Sequence, residues 1–218
     1  MSPTRTGRYL SACGGNSLKS MTLYRKNLQL SQELFTIICC FEIALRNSIN
    51  RHYSGVLGND WLRNAAAPGG IFANPRCRIA AQTINDEVIK LGFRYTHPKL
   101  LAELGFGFWR YLFSTNQYRA GGQTLLKVFP SKPISTSTNQ YNASYIFSEL
   151  AKINDLRNRI AHHEPICFIP GNPVKDTAFA RQHYGLLLRL FQWMSIDETS
   201  LLYGLDHINA ICSQIDHL

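Results

Sequence analysis

The chain has 218 residues, is 45% hydrophobic and carries 23 Lys and Arg against 14 Asp and Glu, giving a formal charge of +9 and a pI near 9.4. That length and apolar content support a substantial core and argue against a disordered chain, and the positive balance favours a polyanionic partner without identifying one. Six cysteines without a C-x-x-C pair or a paired Cys/His spacing read as free thiols in a reducing compartment, so neither a zinc site nor any cofactor is expected.

The charge is uneven along the chain. After Arg189 there is no Lys or Arg, while Asp197, Glu198, Asp206 and Asp216 remain, so a bound polyanion should avoid the last helix. The N-terminal residues lack the apolar run of a signal peptide. The most apolar stretch, Leu34 to Leu45, is interrupted by Glu42 and falls short of the roughly 20 residues of a membrane span. A cytoplasmic protein without membrane contact is the expectation.

Residues 1–20, rich in Ser, Thr and Gly, predict a short helix and a loop as an N-terminal extension to a single domain over 21–218. From Met21 to about Gly55 the pattern is helical, with a break allowed near Ser31. Leu34, Phe35, Ile37, Ile38, Phe41, Ile43, Leu45 and Ile49 make this helix apolar nearly all round, which places it in the middle of the domain. Glu42 and Arg46 interrupt it four residues apart. They either pair with each other or leave Glu42 to face a cation from a neighbouring helix.

Residues 58–74 read as a loop anchored by Trp61, and Asn74-Pro75 as a cap and first position of a helix that ends near Gly92. A further helix from about Pro98 to Ser114 carries an aromatic stripe that is more readily core than a base-stacking platform, and Gly105 and Gly107 suggest close packing or a kink. Residues 129–139, with two prolines and a hydroxyl run, predict an exposed loop, and Lys132 within it and Lys127 just before it could touch phosphate. Helices are then expected over about 140–163, 173–194 (from Asn172-Pro173) and 196–217 (from a Ser195-x-x-Glu198 capping box). With no alternating strand, the predicted fold class is all-α with no significant sheet.

The helix over 140–163 holds the most informative stretch. Ile146, Leu150, Ile153, Leu156 and Ile160 form its apolar stripe, and Arg157 falls inside that stripe. A guanidinium near a core face needs an anion or a polar cleft, and Glu42 is the candidate anion within the chain. Beside it Asn154, Asn158 and His162 recur every four residues as a polar strip, and Glu164-Pro165 disfavours further helix. A histidine in the last turn is favoured in its protonated form by the unpaired helix carbonyls. The spacing from Arg157 to His162 is common by itself, and Arg46 to His52 is a similar pair without the strip or the helix stop.

Arg157-Asn-Arg-Ile-Ala-His162 followed by His163-Glu164-Pro165 resembles the R-x(4–6)-H signature of the HEPN superfamily, in the form seen in Abi-like abortive-infection proteins. Leu23-Tyr24 with Asn27, Phe41-Glu-Ile-Ala-Leu-Arg-Asn47, Trp61, and Leu104-Gly-Phe-Gly-Phe-Trp109 resemble the other Abi-like blocks in order, over roughly residues 8–165. The resemblance implies a HEPN-like helical bundle with additional helices and a homodimer in which the two signature helices meet. It further implies a metal-independent endoribonuclease site serving as a toxin-type phage-defence effector. Arg157 and His162 would be catalytic with Asn158, supported by Glu42, Arg46 and Asn154, and Arg159 and His163 would contact RNA secondarily. Where toxins paired with a nucleotidyltransferase antitoxin carry a modified tyrosine two residues after the histidine, this chain has Glu164, so that control is not implied. The alternatives are a HEPN domain that binds RNA without cutting it and a protein-interaction scaffold. In either of these, Arg157 is one half of a buried ion pair and His162 a helix cap.

Overall fold

A computed structural model describes residues 3–218 and confirms the all-α class: among these residues there are eleven α-helices, three short 3-10 segments and no strand beyond one isolated bridge. The helices are α1 (Pro3–Ala12), α2 (Ser17–Leu57), α3 (Trp61–Ala66), α4 (Arg78–Leu91), α5 (His97–Glu103), α6 (Phe106–Tyr111), α7 (Thr115–Ala120), α8 (Ala143–Ala161), α9 (Ala178–Trp193), α10 (Glu198–Leu201) and α11 (Ile208–Asp216). The chain partitions into two compact units. The first unit comprises residues up to Phe41, Asp155–Gln192 and Ile196–Leu218; the second comprises Glu42–Asn154 with Trp193–Ser195. Residues of α2 and of α8 are divided between the two.

α2 is one unbroken helix of 41 residues, with no interruption at Ser31. Asn16 starts it by accepting from the Lys19 N–H at 2.9 Å, and Gly58, at φ 89°, stops it. Leu30, Leu34, Ile37, Ile38, Phe41, Leu45 and Ile49 are fully buried. The expectation that its apolar run is too short for a membrane needs correction: by length and composition α2 is long and apolar enough to cross one.

In the first unit, Phe41 meets Phe191 of α9 edge-on at 5.3 Å, and Ile208, Ile211 and Ile215 bring α11 to the core. The helix expected from Asn172 begins instead at Ala178. Pro170-Gly171 forms a type II turn, with Gly171 at φ 82° and the Asn172 N–H donating to Ile169 O, and a Phe168–Lys175 bridge follows. The predicted helix over 196–217 is likewise two short ones. Asp197 caps α10 and Gly204 at φ 74° breaks the chain, while Ser195 bonds Ser131 within the second unit instead of capping.

In the second unit, the expected loop 58–74 contains α3. Trp61 does anchor it, buried completely and donating from Nε1 to Asn50 Oδ1 at 2.9 Å. Asn74-Pro75 begins a 3-10 turn (Pro75–Cys77) that leads into α4. The helix expected over 98–114 is broken at Leu104-Gly105, both extended, and the Leu104 carbonyl freed there accepts from Trp109 Nε1 at 2.8 Å. α7 fills a stretch in which the sequence suggests no element. Residues 133–140 are exposed, as a proline-rich loop requires.

Candidate functional site at the end of α8

α8 starts where Asn142 Oδ1 accepts from the Tyr145 N–H at 3.0 Å. Ile146, Leu150, Ile153 and Leu156 are completely buried and Ile160 is 9% exposed, so the predicted stripe is the buried one. Arg157 lies at its edge, half-buried, and Asn158 and His162 are exposed on the adjacent strip. Arg157, Asn158, His162 and His163 belong to the first unit; Asn154, half-buried on the same helix, belongs to the second.

The helix closes by a Schellman motif rather than by its proline alone. The Glu164 N–H donates to Arg159 O at 2.8 Å, the His163 N–H to Ile160 O at 2.9 Å, and His163 takes φ 55°. His162 is therefore the last residue before the chain turns. His163 is in the left-handed conformation usually given to glycine, which the sequence did not signal beyond the nearby proline.

Arg159, which the sequence offered as a phosphate contact, is committed elsewhere. Its Nη2 donates to Pro165 O at 3.1 Å, its Nε lies 3.3 Å from Glu164 Oε2, and its guanidinium stands 4.4 Å over the Phe179 ring. It ties the helix end to the following loop and to α9.

The remaining candidates lie in the second unit. Glu42 and Arg46 are half-buried one turn apart on α2; among the described residues Arg46 makes no ion pair, so the intrahelical pair permitted by the spacing is absent. Lys127, on a 3-10 turn, and Lys132 belong to the same unit, apart from Arg157 and His162 in the division of the chain. Lys127 acts on His52, whose Nε2 lies 2.8 Å from Thr124 Oγ1 and whose pKa is lowered by burial and then by that ammonium.

One polar cluster was not foreseen. Asn50 Oδ1 accepts from Trp61 Nε1, a donor only, which fixes the amide and makes His97 Nε2, 2.8 Å away, a donor as well. The other ring nitrogen, Nδ1, faces Asp60 Oδ1 at 3.5 Å, and Tyr95 donates its hydroxyl to Asp60. With Nε2 committed to Asn50, this is a structural knot rather than a catalytic Asp–His pair.

The comparisons with known proteins return no relative. No family model, no curated protein and no solved structure matches the chain. Among the described residues no group of three His, Cys, Asp or Glu is placed to hold a metal.

Proposed function

We propose that the chain is a HEPN-type endoribonuclease of the Abi-like kind, a cytoplasmic homodimer that cuts RNA without a metal as a phage-defence effector. The reading starts from the motif and block resemblance. The observation that supports it most is the end of α8: a half-buried Arg157 beside an exposed Asn158 and His162, with the helix closed immediately after the histidine.

The chemistry follows from those groups. An RNA 2′-hydroxyl attacks the adjacent phosphorus, forming the 2′-O–P bond and breaking the P–O5′ bond, to give a 2′,3′-cyclic phosphate and a free 5′-hydroxyl. One imidazole takes the 2′-hydroxyl proton and an imidazolium gives a proton to the departing 5′-oxygen. A guanidinium bidentate to the phosphate stabilises the charge that builds on its oxygens. On one helix Arg157 and His162 point roughly 140° apart, so one copy supplies a poor site. Two copies about a two-fold axis bring two arginines and two histidines to one phosphate, with the partner's His162 as the acid. Asn158 orients the imidazole.

The test is cleavage of total RNA by purified protein, alone and with chelator, beside Arg157→Ala and His162→Ala. The expected result is cyclic-phosphate ends, no effect of chelator, and a loss of about 10²–10⁴ in rate for each variant. Cleavage by both variants at the parental rate, or a strict monomer in sedimentation, overturns the assignment.

A further inference from the structure

The second unit carries most of the positive charge: thirteen Lys and Arg against six Asp and Glu, compared with ten against eight in the first. Part of it surrounds a cavity of about 270 Å³ where the 3-10 turn Pro75–Cys77 meets α7. Asn74, Arg76, Asn116 and Arg119 line it, with Cys77 and Ala120, and no carboxylate does. Among the described residues, neither the Arg76 nor the Arg119 guanidinium makes a hydrogen bond or ion pair. Asn74 already accepts the Arg76 N–H on its Oδ1, at 2.9 Å, so its amide nitrogen is left to donate. Two guanidinium forks and two carboxamides exceed the needs of a carboxylate and match the several oxygens of a phosphate ester.

A second hollow, about 290 Å³, lies between α4 and α6. Ile79, Ala80 and Thr83 form one wall and Gly107, Phe108 and Tyr111 of α6 the other. Cys77 of the first cavity and Ala80 of the second are three residues apart, one helical turn. Phe106, Trp109, Leu112 and Phe113 are each at most 1% exposed and belong to the core, whereas Phe108 and Tyr111 are only half-buried.

We propose that the two concavities form one nucleotide subsite of single-stranded RNA, Arg76, Arg119, Asn74 and Asn116 holding the phosphate and Phe108 and Tyr111 the base. Single-stranded nucleic acid is held by this pairing of cationic backbone contacts with aromatic stacking. The choice of RNA rests on the nuclease reading; the phosphate-and-base chemistry does not.

The experiment measures anisotropy of a labelled single-stranded RNA oligonucleotide on the full chain carrying His162→Ala, so that binding is read without cleavage. Adding Arg76→Gln with Arg119→Gln should raise Kd at least about tenfold and flatten its salt dependence by about one charge. Phe108→Leu should weaken binding about tenfold with the salt slope unchanged. Arg51→Gln, an exposed arginine of the same unit outside the cavity, should change Kd less than about threefold, and melting curves should show the Arg76/Arg119 variant folded. Unchanged binding in that variant overturns the proposal, as does an equal loss with Arg51→Gln, which marks a diffuse basic surface. Binding of a free 5′-mononucleotide without binding of RNA also overturns it. If the wild-type protein cuts nothing yet this pattern appears, the nuclease reading falls and the subsite stands.

Discussion

The Glu164 backbone N–H donates to the carbonyl of Arg159 at 2.8 Å, and that bond sets where the polar strip of α8 ends. It requires the residue between His162 and Glu164 to adopt positive φ, and His163 does so at 55°. A side chain in that conformation costs about 1–2 kcal/mol that glycine avoids. The extra freedom of an unfolded glycine returns about 0.4–1 kcal/mol of this. His163→Gly should therefore stabilise the protein by about 0.5–1 kcal/mol in urea unfolding and leave RNA cleavage within about twofold. A loss of cleavage comparable to that of His162→Ala would instead make His163 part of the chemistry.

The same helix shows what was legible in the sequence. Its buried stripe was readable because a 3.6-residue period states burial directly, and Ile146 through Ile160 obey it. The place of its closure is readable from Glu164-Pro165, but its form is not, because a histidine at a glycine position leaves no local mark. Arg159 reads in the sequence only as a secondary RNA contact; its tie to Pro165, Glu164 and Phe179 depends on the path of the following loop, which no local pattern states. At Leu104-Gly105 the glycines mark a kink where the chain in fact breaks, and at Gly204 the sequence marks nothing: apolar spacing continues across both while the backbone does not. The wall that carries Arg119 was invisible, since Thr115–Ala120 is too short and too polar for periodicity to reveal.

Acid should weaken the second unit through its histidines. Burial is the main cause holding His97 below the ordinary 6.5, with Asp60 opposing it, and burial followed by Lys127 lowers His52. A histidine whose pKa is lower in the folded state takes its proton more readily when unfolded. Its contribution is complete above the unfolded value near 6.5 and drains away as pH falls through the range down to the folded pKa. Thermal melts from pH 7.5 to 5 should show a falling Tm, and the double variant His52→Gln/His97→Gln should show a shallower fall. An equally steep fall would move the acid sensitivity to other groups, the net repulsion of a +9 chain first among them.

Gly121, at the C-terminal end of α7, is required by a neighbour rather than by its own backbone angle. A Cβ there would stand 2.1 Å from Tyr53 Oη and 3.0 Å from its Cζ. Tyr53 is 1% exposed and wedged against Trp61, ring centroids 4.7 Å apart, so it has nowhere to retreat. Gly121→Ala should cost about 1–3 kcal/mol of stability through overpacking. Removing the hydroxyl with Tyr53→Phe relieves the closest contact and leaves the one to Cζ, so the double variant should be less destabilised than the sum of the singles by about 0.5–1 kcal/mol. Strict additivity would mean that α7 shifts as a body to admit the methyl group. Because Asn116 and Arg119 stand on α7, the same shift would also weaken RNA binding, and Tyr53→Phe would then fail to restore it.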